Sequence, residues 1–269
     1  MRRRMVLVLS LALSLAACST TDEVTTTVVS GEFTQDIWVT GPDVESDDFG
    51  TWPFVYALHG LGGTGDGLSR TAEELASHGV VVFAPTVRTT EPEYIELDGE
   101  CAYRYALSVA EEYGADLDQP VTVIGHSFGA DMALHGGLAE DDYGPEGDYD
   151  DCYSGAPRPD VIVPIAGCWY QYEDASYPFD LSPFSNQDAD ITMVVGTDDE
   201  VCEPWQSRDA SKVLVEAGFN ATLIELNGGN HANVVFFEIV DGEWQKIDDD
   251  PIGSEVVQVI LDAIDEAKG

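Results

Sequence analysis

The sequence predicts an α/β protein with a doubly wound, mostly parallel sheet and helices on both faces. Three observations carry that expectation. Seven short apolar runs alternate with amphipathic stretches. Several of these runs are apolar almost throughout, as strands covered on both faces must be. The composition is 44% hydrophobic and 23% charged over 269 residues, which suits one large globular domain.

In chain order, strands are predicted at 33–39, 54–58, 80–84, 121–124, 161–166, 191–195 and 222–226. Helices are predicted at 68–78, 101–113, 128–139, 207–217 and 254–267, with Pro251 placed to initiate the last. The segment 140–155 is rich in Asp, Gly and Tyr but lacks the EF-hand spacing, so it reads as a solvated loop rather than a calcium site. No internal repeat is present.

The first 30 residues read as something other than fold. Arg2, Arg3 and Arg4 precede an apolar run of 13 residues, Met5 to Ala17. That run falls short of the ~20 residues a spanning helix needs but suits a signal-peptide core at 1–17. It ends in Leu15-Ala16-Ala17-Cys18, which resembles a bacterial lipoprotein signal with Cys18 as the lipidated residue. The Thr-rich stretch up to residue 30 then reads as a flexible tether, leaving a single domain at 31–269. An exported, cell-envelope protein held to a membrane by its lipid alone is expected.

Charge narrows the partners. Eleven basic residues face 51 acidic ones, a net charge of −40. Sequence-independent binding to nucleic acid requires a basic face, and this chain has none to offer. The acidic, lysine-poor composition resembles that of proteins from halophilic or salt-tolerant organisms, and a monomer is expected.

Four further cysteines, Cys101, Cys152, Cys168 and Cys202, suit two disulfides in an exported chain. Cys168 and Cys202 fall just past the ends of two consecutive predicted strands, where adjacent strands lie ~4.8 Å apart. That leaves Cys101 to pair with Cys152. No CxxC pair exists, so no metal and no cofactor is expected.

The chemistry is concentrated in Val121-Thr-Val-Ile-Gly125-His126-Ser127-Phe128-Gly129. A strand runs into G-x-S-x-G and a helical pattern follows, the context a nucleophile elbow requires. Residues two before and two after the serine crowd together, so both must lack a side chain. A hydroxyl needs a neighbouring base to attack at neutral pH. Of the five histidines, His231 lies in a glycine-rich turn after the last clear strand. His126 is adjacent to the serine and is expected to point elsewhere, and His78 and His135 fall on or beside helices.

With these residues the chain resembles the α/β-hydrolase superfamily, in particular dienelactone-hydrolase-like and carboxylesterase-like serine esterases. The resemblance implies a Ser127, Asp199, His231 triad, with Asp198 as the alternative acid. It also implies an oxyanion hole from the main-chain amides of Leu61 and Phe128. Here His59-Gly60-Leu61-Gly62-Gly63 supplies the first of these, with His59 as a structural residue under the loop. Where many relatives carry Val-Pro after the acid, this chain has Val201-Cys202. Trp169, then Tyr170, are the expected acyl-site lining. The implied activity is hydrolysis of carboxylic esters, small or polymeric, through an acyl-enzyme. A peptidase, an amidase, a thioesterase or a non-catalytic binding lipoprotein on the same fold are the alternatives. Activity is expected to fall as acid protonates the base.

Concentrated salt shortens the Debye length to ~3 Å at 1 M and so screens self-repulsion. The melting temperature is therefore expected to rise with NaCl; a thermal scan in which it stays level would remove the halophilic reading.

Overall fold

A computed structural model describes residues 21–30, 33–42, 48–90, 92–138, 157–169 and 184–269. Its centre is an eight-stranded sheet in the order β1-β2-β4-β3-β5-β6-β7-β8. The strands are β1 Thr21–Ser30, β2 Phe33–Pro42, β3 Phe54–Leu58, β4 Val81–Pro85, β5 Thr122–His126, β6 Val161–Ile165, β7 Asp190–Gly196 and β8 Asn220–Leu226. β1 and β2 run antiparallel to each other, and β2 runs antiparallel to β4. From β4 to β8 every pairing is parallel.

All five residues of β3, β4, β5 and β6 are buried, because helices cover both faces. Successive side chains divide between two cores, as the period of two requires. Phe54, Tyr56, Phe83 and Val123 face α2 (Pro92–Val109), α3 (Phe128–Leu138) and α4 (Pro204–Glu216). Val55, Ala57, Val82, Ile124 and Val163 face α1 (Ser69–Ser77) and α5 (Pro251–Ala267). α5 starts at Pro251, where Asp250 caps it by accepting hydrogen bonds from the Ile252 and Gly253 amides at 2.8 and 3.2 Å.

Every predicted strand and helix is present, with shifted ends. α2 begins nine residues before the predicted start, with Pro92 at its first turn. Two differences matter more. The segment expected as a tether is paired along Thr21–Ser30 with β2, as the edge strand of the sheet. Its Thr- and Val-rich composition favours extended backbone even without an amphipathic pattern. Second, a hairpin follows the His231 loop: β9 Phe237–Val240 and β10 Glu243–Lys246. Its turn is Asp241-Gly242, with both residues at positive φ (53° and 84°), as a type I′ turn demands.

The signal segment with Cys18, the loop 140–155 with Cys152, and Tyr170 lie outside the described residues. No helix among the described residues is long and apolar enough to cross a membrane.

Candidate active site

Ser127 sits between β5 and α3 with φ +57°, a conformation that non-glycine residues rarely adopt. The turn tolerates no side chain on either flank. A Cβ on Gly125 would lie 1.9 Å from the Gly129 carbonyl oxygen, and one on Gly129 would lie 2.2 Å from that of Leu58. The strained residue is held from the other side by β6, since its amide donates to Ile165 O at 2.9 Å.

His231 reaches this serine from the loop after β8. Its Nε2 lies 2.9 Å from Ser127 Oγ, and its Nδ1 lies 2.8 Å from Asp199 Oδ2. A carboxylate only accepts, so the neutral imidazole carries its proton on Nδ1 and presents a lone pair to the hydroxyl. Both His231 and Asp199 are buried. The second oxygen of Asp199 accepts from the Val201 and Cys202 amides at 2.9 and 2.8 Å, so its lone pairs are satisfied without water. Asp198 is exposed and bonds locally to Thr197, which separates the two acids. The residues predicted as a triad thus meet within hydrogen-bonding reach. Asn230 shapes the histidine loop, its Oδ1 accepting from the Ala232 and Asn233 amides.

The loop after β3 is fixed by His59. Val87 N–H donates to His59 Nε2 at 2.9 Å, so His59 carries its proton on Nδ1 and donates it to Gly60 O at 2.8 Å. In a trans peptide the next amide points the opposite way. Leu61 N–H is therefore turned away from His59, and among the described residues no acceptor takes it. Gly60 itself packs against the serine: a Cβ on it would lie 3.1 Å from Ser127 Cβ. Thr89 Oγ1 secures the loop further by accepting from Gly62 N at 2.6 Å. Phe128 opens α3, which puts its amide at the helix terminus beside Ser127.

Cys168 and Cys202 form a disulfide with Cα atoms 4.8 Å apart, as predicted. It joins the loop after β6 to the loop carrying Asp199. Its sulfurs lie beside Ser127 and His231: Cys168 Sγ is 4.0 Å from Ser127 Oγ, and Cys202 Sγ is 3.9 Å from His231 Nε2. These two sulfurs and His231 are the group of potential metal ligands found among the described residues. Bonded to each other, the sulfurs do not offer thiolates. Cys101 is also disulfide-bonded.

Two expectations change. Trp169 lies in the core between β6 and α4, 5% exposed, donating its indole N–H to Ser207 Oγ at 3.2 Å. It packs the α4 face instead of presenting a ring to solvent. Second, His126 does not point away from the site. Its Nε2 donates to the main-chain oxygen of His231 at 2.8 Å, and the two rings lie 4.8 Å apart. Burial above all, with His231 beside it, pushes His126 down to about 3, so it is a neutral donor at working pH. Sequence adjacency hid this role, because the sharp turn at Ser127 separates neighbouring side chains.

Solved structures share this architecture. Thermogutta terrifontis esterase 2 with propionate bound gives a TM-score of 0.67 at 14% identity, covering 91% of this chain and 94% of that one. Another structure of the same esterase is phosphoramylated by tabun. Tuber melanosporum carboxyl esterase 2 gives 0.66 at 15% identity, over 95% and 89%. A Klebsiella pneumoniae protein assigned as a dienelactone hydrolase gives 0.67 at 13% identity, over 92% and 100%. At these identities the likeness is one of fold, and the chain has the α/β-hydrolase fold. No protein-family model and no curated protein matches it.

The disulfide closes a separation of 34 residues. Cys202→Ser is expected to remove about 3 kcal/mol of stability, lowering Tm by roughly 5–10 °C. An unchanged Tm would show that the bridge does not brace the acid loop. A second expectation concerns pH. Below the unfolded histidine value near ~6.5, the unfolded chain takes up a proton that folded His126 refuses until about 3. Its contribution to stability is therefore lost as pH falls through that window. His126→Gln should gain stability relative to wild type between about pH 7 and about pH 4; parallel stability curves would contradict this.

Proposed function

We propose that the chain is a serine hydrolase of carboxylic esters, acting through an acyl-enzyme. The single observation that carries this reading is the unbroken chain from Asp199 Oδ2 through His231 to Ser127 Oγ, at 2.8 and 2.9 Å, on a strained turn. His231 Nε2 takes the Ser127 proton as Oγ attacks the acyl carbon. Asp199 holds the ring and stabilises the imidazolium that forms. The oxyanion rests on the Leu61 and Phe128 amides, each such donor contributing ~3 kcal/mol to the transition state. His231 then protonates the leaving alcohol, and water repeats the cycle on the acyl group. The esterases that share the fold, one of them holding propionate, support an ester and a short acyl group. We further place the protein in the cell envelope, with Cys18 lipidated.

Turnover of a p-nitrophenyl ester of short chain length should fall roughly 10⁴-fold or more in Ser127→Ala. Asp199→Asn should fall about 10⁴-fold, because the wrong tautomer then faces the serine. Full turnover in Ser127→Ala would refute the assignment. Turnover of amides or thioesters in preference to esters would redirect it. No turnover of any of the three would favour a binding lipoprotein.

A further inference from the structure

Beside the reacting groups the chain exposes apolar side chains that packing does not explain. Leu61 stands on the oxyanion loop, and Val201 stands two residues past Asp199; both are exposed. The larger feature is the β9–β10 hairpin. Trp244 is 47% exposed, and its ring lies edge-on 6.1 Å from the rings of both His231 and His126. Ile239 pairs directly opposite Trp244, so it shares that face, and it is also exposed. An exposed apolar face beside a reacting centre is unfavourable in water unless something covers it.

The hairpin is also fixed in place. A free two-stranded hairpin is marginal in water. Here Lys246 Nζ bonds Asp66 O at 2.7 Å and Ser69 Oγ at 2.9 Å, joining the hairpin to the segment after the oxyanion loop. Arg70 Nε donates to Asp248 O at 2.8 Å, and its guanidinium lies over the Phe236 ring. Phe237 packs on the α5 side of the core, its ring 5.6 Å from that of Trp244. Two of the chain's eleven cations are thus committed to holding this hairpin.

We propose that the Trp244–Ile239 face is a wall of the substrate site, which takes an uncharged apolar arm of the ester and disfavours an arm bearing a carboxylate. This rests on the ester hydrolase reading and deepens it. An indole and a branched alkyl chain offer dispersion and π contact but no charge. The field around them disfavours anions: the chain carries a net charge of −40, to which Asp241 at the turn and Glu238 and Glu243 on the hairpin's other face contribute, and the hairpin's one cation, Lys246, is already bonded to the Asp66 segment. A ring held rigidly loses little freedom on binding, so the wall is preorganised.

The test compares phenyl butyrate, methyl butyrate and 4-carboxyphenyl butyrate on wild type, Trp244→Ala and Trp244→Phe. Wild type is expected to favour the phenyl ester over its carboxylated analogue, with the preference narrowing in high salt. Trp244→Ala should raise KM for the phenyl ester about tenfold more than for the methyl ester, and Trp244→Phe should restore most of it. An equal loss on both esters, or equal use of the neutral and carboxylated substrates, overturns the proposal. Calorimetric titration of phenyl butyrate into Ser127→Ala, with and without Trp244→Ala, decides the matter independently of turnover. Weaker binding in the double variant supports the wall, and equal or undetectable binding in both overturns it. Failure of wild type to cleave any of the esters would sink the ester reading alone.

Discussion

The turn at Ser127 is the constraint on which the site depends. Its positive φ is tolerable only because β5, α3 and β6 fix the chain on all sides. Gly125 and Gly129 leave no room for a Cβ, so α3 can start against the end of β5. The same geometry brings the first amide of α3 beside the hydroxyl. One local distortion thereby brings the Ser127 hydroxyl and the N-terminal amide of α3 to the same end of the sheet.

Around that turn the polar groups are arranged as a closed set of hydrogen bonds. Asp199 accepts from two amides and from His231, and His231 is bonded at both ring nitrogens and at its main-chain oxygen. Buried polar groups that are fully satisfied rigidify a site, while unsatisfied ones are costly. His59 does the equivalent under the loop after β3, using both ring nitrogens to tie Gly60 to Val87. Two neutral buried histidines, His59 and His126, therefore orient the backbone, and a third faces the serine. Burial lowers both supporting histidines, which keeps them free of charges that would compete for Asp199.

Strands β3 to β6 were legible because each is an apolar run, buried at every position, that only two covered faces can explain. The elbow was legible because it needs two glycines at fixed offsets, and Asp199 because its spacing from Gly196 sets it on the turn that buries it. What stayed hidden had no burial pattern to betray it. β1 is a Thr-rich edge strand stabilised by backbone pairing, which leaves no amphipathic period. The β9–β10 hairpin has four-residue, mostly exposed strands, and only Asp241-Gly242 marked it. Trp169 misled because an aromatic residue after a strand can face either the site or the adjoining helix, and here Ser207 supplies a partner for its N–H. The role of His126 escapes a sequence reading because its partner is a main-chain atom 105 residues away, which no local pattern records.

In the proposed enzyme one hydroxyl among the chain's many serines, that of Ser127, is made nucleophilic by its surroundings. Mass spectrometry after treatment with a fluorophosphonate tests this directly. A single stoichiometric adduct on the peptide containing Ser127, lost when His231 is replaced by Ala, is the predicted result. An adduct spread over other serines, or one that forms as fast without His231, would contradict it.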